Sequence, residues 1–309
     1  PLVSVIVLNY KRIHELERCL DSIVTQDYPN IEAIVVDNYS EEDVASVVRT
    51  RDATMRLIEL PANLGPCCGR NAGIREAHGQ IIVTLDNDVS FLSPFELSKV
   101  VKAFEEHPEI HILAFRICDA GTGRLRVREW CHPRDWQEFG EKEFETSFFG
   151  EGASAFRREV FDVAGLYWEP LFIGHEGYDL GLRLLDSGYR ILYCPIVAVA
   201  HSMSRETRSK SRPFYYYTRN YIWVAYKDHG FRQGIHYLVP KLLMMLFFSL
   251  RAWCLMPFVR GIWDGVRGLK RIKPRTPIRR TTLIYLADLE RQRPTWWRRL
   301  GRHRLEPQL

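Results

Sequence analysis

Three apolar runs constrain this chain most. They are residues 3–8 (VSVIVL), 31–36 (IEAIVV) and 81–85 (IIVTL), and each ends in a polar residue, Asn9, Asp37 and Asp86. Continuous runs this rich in β-branched residues read as strands buried on both faces, as in a parallel sheet. Between the first two, Ile13, Leu16, Cys19, Leu20, Ile23 and Val24 recur at three- and four-residue spacing, the stripe of an amphipathic helix. A short helix is expected over 42–50, a strand over 55–60, a turn at Asn63-Leu64-Gly65-Pro66 and a helix over 69–77 closed by Gly79. Strands alternating with helices imply right-handed crossovers and a doubly wound, mostly parallel α/β sheet. Ligands bind such sheets beyond the carboxyl ends of the strands. The loops at 9–12, 37–40 and 86–88 therefore converge on one crevice. Asp86 and Asp88, two residues apart where a strand passes into a loop, suit a hard cation; a solvated turn uses the same residues.

The rest is less regular. A helix over 94–106 and a strand over 110–117 are followed by residues 121–144, charged and aromatic without a period, read as a loop-rich insert on the acceptor side. Apolar runs at 191–193 and 196–200 lead to His201, and 202–212 reads as a polar, basic loop. An aromatic helix is expected over 214–226. Residues 238–262 are the most hydrophobic stretch, but Lys241, Arg251 and Pro257 interrupt it, so the run of about 20 uncharged residues that a membrane span needs is absent. A helix pair lying in a membrane interface fits, with Trp253 and Trp263 at headgroup level; a buried hairpin or the contact with a second subunit, a homodimer, would also use such a stretch. The net charge is +5, and from Arg260 to Arg304 fourteen Lys or Arg face three acids, a tail suited to anionic lipid. No nucleic-acid-binding pattern accompanies it. Seven cysteines without zinc spacing suggest reduced thiols and a cytoplasmic setting. No basic region and apolar stretch precede the first strand, so no signal peptide is expected. The chain divides into 1–212, a nucleotide-binding catalytic unit, and 213–309, a helical, apolar and basic membrane-associated extension.

In order and spacing, several motifs resemble a family 2 glycosyltransferase of the GT-A fold, most closely its rhamnosyltransferase-like branch. They are Ser4-Val5-Ile6-Val7-Leu8-Asn9-Tyr10, Val36-Asp37-Asn38-Tyr39-Ser40, Asn63-Leu64-Gly65 with Gly69-Arg70-Asn71-Ala72-Gly73, and Leu85-Asp86-Asn87-Asp88. Further on come Gly152-Ala153 with Phe156-Arg157-Arg158, Asp179-Leu180 with Arg183, and the run from Tyr193 to His201.

The resemblance implies an inverting transfer from a UDP- or dTDP-sugar to a lipid-linked or growing glycan of a surface polysaccharide, at the inner face of the cell membrane. It places Asn9, Tyr10 and Arg12 along the nucleoside pocket, Asp37 on the base or ribose, and Arg70 at the sugar nucleotide. Asp88 would ligate Mn2+ or Mg2+ on the diphosphate, Asp86 would touch sugar or metal, and His201 would be a further ligand. The family's common Glu-Asp-x-Asp-Leu pattern usually carries the base at its first Asp. This chain has Glu176-Gly177-Tyr178-Asp179-Leu180, leaving Glu176, preferred, or Asp179, with Glu151 a further candidate. The departure at Gly177 also admits a non-catalytic sugar-nucleotide-binding scaffold. A nucleotidyltransferase fits less well, since Asn9-Tyr10-Lys11-Arg12 has no glycine.

Overall fold

The computed structural model describes residues 1–202, 210–291 and 293. Most of the polar run after Ser202 and the end of the basic tail therefore lie outside the described residues. The first strand, β1 (Val3–Asn9), is buried along its whole length; α1 (Ile13–Val24) follows, and β2 (Ile31–Asp37) pairs parallel to β1. Next come α2 (Val44–Arg51), β3 (Arg56–Glu59), α3 (Gly65–Glu76) and β4 (Ile81–Asp86). The third helix starts at Gly65 rather than Gly69. The Asn63 side chain accepts from the Gly65 N–H at 3.1 Å, and Pro66 sits in the first turn, where its missing N–H leaves nothing unpaired. In the parallel register Asn9 faces Asp37 and Leu8 faces Asp86, so the polar ends of β1, β2 and β4 form one row.

The second half is mixed. It runs β5 (Val89–Phe91), α4 (Glu96–Glu106), β6 (Ile112–Asp119), α5 (Trp136–Phe139), β7 (Phe144–Thr146), β8 (Ala153–Arg157), α6 (Glu159–Ala164), α7 (Glu176–Asp186) and β9 (Ile191–His201). The sheet order is β3-β2-β1-β4-β8-β6-β9-β5, with β7 also on β9. β8 is inserted antiparallel between β4 and β6, and so brings the turn before it to the end of β4. The two expected runs before His201 are one strand, whose pairing with β6 shifts register between Phe115 and Arg116, close to Pro195.

Alternation along β1 sorts the core into two layers. Val3, Val5 and Val7 pack in one cluster with Leu16 and Leu20 of α1 and Phe104 of α4; Ile6 packs in the other with Ile74 of α3 and Leu180 and Leu184 of α7. Each such side chain contributes about 1.5–3 kcal/mol on burial.

The C-terminal helices are α8 (Arg212–Asp228), α9 (Phe231–Arg251), α10 (Leu255–Gly268) and α11 (Arg280–Glu290). α8 opens at the expected boundary, yet its Val224 belongs to the second core layer. Its Asn220 amide donates to the carbonyls of Leu171, Ile173 and Gly174 at 2.7–3.0 Å, fastening the loop that leads into α7. The expected hydrophobic helix pair is the end of α9 with α10. By length and composition α9 is long and apolar enough to cross a membrane. The seven cysteines are all free thiols.

Candidate active site

The row of strand ends opens into a cleft of about 380 Å³. Tyr10, Asn38, Asn63 and Pro66 from the strand-end loops and α3 line it with Arg12, Arg70, Asp86, Asp88 and His201, and Ile173, Arg212 and Tyr216 complete the wall. Six residues expected at the site are thus brought together: Tyr10, Arg12, Arg70, Asp86, Asp88 and His201. Asn9 and Asp37 are not on the cleft surface. Asn9 is fully buried, donating to Asp37 Oδ1 at 2.8 Å and accepting from Asn87 Nδ2 at 2.8 Å, while Asp37 also accepts from the backbone N–H and hydroxyl of Ser40. These side chains tie the loops after β1, β2 and β4 together behind the wall. Asn38 and Asn63 line the cleft instead, and their side chains bond to each other at 3.3 Å.

The backbone works to expose the charged groups. Lys11 and Arg12 have positive φ, 59° and 62°, a conformation that costs a non-glycine residue about 1–2 kcal/mol and that marks functional loops. It aims the Arg12 guanidinium at Asp88 Oδ2, 2.5 Å away. His201 Nε2 lies 3.5 Å from the same oxygen, and its Nδ1 lies 2.8 Å from Glu129 Oε2. Burial pushes the Asp88 carboxyl up, but His201 and Arg12 outweigh it and bring it down to about 2. Burial likewise disfavours a charged His201, but its bonds to Asp88 and Glu129 raise it to about 9. Arg126 completes this support by pairing with Glu129 at 2.9 Å and donating to the His201 carbonyl at 2.6 Å. Neither Arg126 nor Glu129 was visible as functional in the sequence, since the segment that carries them has no period to read.

Arg70 is buried and holds Asp86 Oδ1 at 2.5 Å, with Glu176 Oε1 3.9 Å from its other nitrogen. Glu176 is buried at the start of α7, and burial followed by the neighbouring Glu151 charge pushes its carboxyl up to about 8. Asp179, one turn on, is a different object. It is wholly buried, paired with Arg183 at 2.7 Å and Lys227 at 2.5 Å. Burial raises its pKa, but the two cations outweigh it and hold it below the ordinary carboxylate range. A sealed, doubly paired anion cannot reach an acceptor hydroxyl, so Asp179 braces α7 and is withdrawn as a base.

Among the described residues no three His, Cys, Asp or Glu side chains gather as a metal cluster. The donors do suit an ion whose shell a substrate completes. Asp88 and His201 converge from two elements, and magnesium-like ions are held by one or two protein groups plus phosphate oxygens. Asp86 is already held by Arg70.

The comparisons with known proteins agree with this architecture. The model of "Glycosyl transferase family 2" matches residues 4–165. An uncharacterized glycosyltransferase, YwdF of Bacillus subtilis, is 25% identical over 232 residues, covering 74% of this chain and 84% of the relative. The amylovoran biosynthesis glycosyltransferase AmsE of Erwinia amylovora is 24% identical over 253 residues, 79% of this chain and 93% of the relative. Among solved structures, the mannosyltransferase PcManGT of Pyrobaculum calidifontis, in complex with GDP-Man and Mn2+, superposes with a TM-score of 0.59 at 21% identity, covering 94% of this chain and 85% of that one. S. aureus TarS 1-349 in complex with UDP-GlcNAc gives 0.60 at 16% identity, covering 97% and 92%. These likenesses establish the GT-A fold and do not single out the rhamnosyltransferase-like branch.

Proposed function

The chain belongs to glycosyl transferase family 2, and we propose that this glycosyltransferase moves a sugar, with inversion, from a UDP- or dTDP-sugar to a hydroxyl of a lipid-linked or growing glycan in surface polysaccharide synthesis. The observation that carries the reading is the convergence of Arg12, Arg70 and Arg212 with Asp86, Asp88 and His201 in one cleft at the parallel strand ends. Cations gathered in a partly buried cleft favour a diphosphate. Tyr10 offers a ring, and Asn38 and Asn63 offer amides, to a pyrimidine base. Asp88 and His201 are the residues that would hold Mn2+ or Mg2+. When bound, such an ion neutralises the departing nucleoside diphosphate. Arg70 orients Asp86 toward the sugar, and a carboxylate held beside the start of α7 takes the acceptor proton. The amylovoran role of AmsE supports a polysaccharide setting.

The outer face of the C-terminal helices supports work at the inner membrane surface. Phe247, Trp253, Met256 and Trp263 stand 61%, 95%, 79% and 66% exposed, beside Arg251, Arg260 and Arg267. Apolar residues rimmed by arginines suit the headgroup region of anionic lipid.

The test is thermal stabilisation by a panel of UDP-, dTDP- and GDP-sugars with Mn2+. The matching donor at about 100 times its Kd adds about 2.7 kcal/mol, and Asp88→Ala removes the metal-dependent part. A flat response to every nucleotide sugar overturns the reading.

A further inference from the structure

The departure at Gly177 has a structural counterpart 26 residues earlier in the chain. A Cβ built on Gly177 would lie 2.3 Å from Glu151 Oε1 and 2.6 Å from its Cδ. The Glu151 carboxylate therefore fills the space that a side chain at position 177 would enter. It is also held there, because the Gly177 N–H donates to Glu151 Oε1 at 2.8 Å. That amide is one of the free donors of the first turn of α7, an eleven-residue helix whose N-terminal end favours an anion.

The turn before β8 puts this carboxylate behind Arg70 and Asp86, two residues that line the cleft. Glu151 precedes Gly152, whose added Cβ would lie 2.4 Å from Asp86 Cγ, so the turn packs against the end of β4. The Thr84 hydroxyl fixes it by donating to the Glu151 carbonyl at 2.7 Å. Glu151 is half-buried, while Glu176 beside it is almost fully enclosed. Around the pair, Glu176 Oε2, Arg70 Nε and Nη1 and Tyr167 Oη are buried without a hydrogen-bond partner, so this corner holds polar capacity that the fold itself leaves unused.

We propose that Glu151 is the catalytic base, supplying from the turn before β8 the carboxylate that the family's common pattern supplies from the position of Gly177. The proposal rests on the transfer reaction proposed above. In the step, the acceptor O–H gives its proton to Glu151, and the acceptor oxygen forms a bond to the anomeric carbon. The bond from that carbon to the diphosphate oxygen breaks, and the nucleoside diphosphate leaves with the electron pair. Glu176 holds a proton at neutral pH and is a positioning residue for Arg70 and Glu151. A side chain at position 177 would displace the Glu151 carboxylate from this place.

The experiment measures nucleoside diphosphate release from the donor identified by thermal shift, in Glu151→Gln, Glu176→Gln, Glu151→Ala and Glu151→Ala/Gly177→Asp. Glutamine at 151 keeps an oxygen to accept the Gly177 N–H, so the cap survives and only basicity is lost. Glu151→Gln is expected to lower kcat about 100-fold or more, the scale of losing a general base, with donor KM and donor-induced stabilisation retained. Glu176→Gln is expected to lose less than about tenfold. The double variant, with a carboxylate restored at the common position, is expected to recover at least about tenfold over Glu151→Ala. A Glu151→Gln enzyme within about threefold of the parent, or a loss confined to KM or thermal stability, overturns the assignment. Failure of the underlying reading is distinct, since it removes donor-induced stabilisation from the parent protein itself.

Discussion

The two sides of the cleft are charged on opposite plans. On the donor side every acid meets a base: Asp88 has Arg12 and His201, and Asp86 has Arg70. On the side of α7, Glu176 lies beside Glu151 and carries a raised pKa. One turn along the same helix the plan reverts, and Asp179 is matched by Arg183 and Lys227. The difference separates holding from reacting. Matched pairs hold their carboxylates ionised and in place, whereas the pair of Glu176 and Glu151 favours keeping a proton. The proposed reaction would use the first for a diphosphate and the second for the acceptor proton. Asp228, also raised to about 8, has such a like-charged neighbour in Asp179 within the brace.

The largest test of that contrast falls on the matched pair that braces α7. Lys227 reaches across from α8 to Asp179 at 2.5 Å and Asp228 at 2.6 Å, all three buried. Lys227→Ala leaves buried Asp179 with Arg183 alone and takes from buried Asp228 the cation it pairs with. It is expected to destabilise the protein by about 3–5 kcal/mol, read by denaturant unfolding. Turnover of the remaining folded enzyme should fall as well, because α7 carries Glu176 and Gly177. A stability change under about 1 kcal/mol would place Lys227 outside the bracing role.

How far the sequence reached follows the same division. The donor side was legible because its groups sit at the ends of continuous apolar runs, and a parallel sheet must bring those ends into one row. Asp86 and Asp88 were read from that logic, whereas His201 came from the resemblance, since a histidine after an apolar run carries no such signal by itself. Asn9 and Asp37 were placed on the correct loops but on the wrong side of the wall, since loop position does not say which way an amide turns. The α7 side depends on long-range pairs that no local period reports. Glu151 meets Gly177, Lys227 meets Asp179, and Glu129 meets His201 across segments with different patterns. Short elements were missed for a related reason: β5 and β7 have three residues each, too few to show alternation.

A second prediction sharpens the contrast through pH. Glu176 faces Glu151 from the turn before β8, Arg70 and Cys67 from α3, Asp86 from β4 and buried Tyr167. Its carboxyl is raised to about 8, so the proton is held below that pH and lost above it. Ionisation would add a second negative charge beside Glu151 and the departing diphosphate. For the parent enzyme kcat/KM is expected to fall above pH 8, by up to about tenfold per pH unit. In Glu176→Gln, which mimics the protonated state, that limb should vanish while activity near neutrality is largely kept. An unchanged alkaline limb in the variant would assign the limb to another group.

The smallest effect extends the comparison outward. The paired groups of the donor side, Arg12 with Asp88 and Arg70 with Asp86, sit on the sheet, its loops and α3, and α8 adds Arg212 and Tyr216 from its start. The α7 side leans on the buried far end of α8 through Lys227, and α8 packs against α9 and α10, so that side is the more closely connected to the outward apolar face. Trp253, almost wholly exposed between α9 and α10 with a positive φ of 56°, touches nothing that the cleft depends on. Trp253→Ser removes one interfacial anchor of the kind worth about 1.5–3 kcal/mol when fully buried; partial insertion predicts a loss of about tenfold. Cosedimentation with vesicles containing anionic lipid is expected to weaken by that factor, with donor-induced stabilisation the same as in the parent. If vesicle binding is unchanged and light scattering instead reports loss of a dimer, the apolar face belongs to a second subunit. If donor stabilisation falls together with vesicle binding, the two sides of the cleft are coupled through the C-terminal helices, and the separation of a sheet-based donor side from a membrane-linked acceptor side fails.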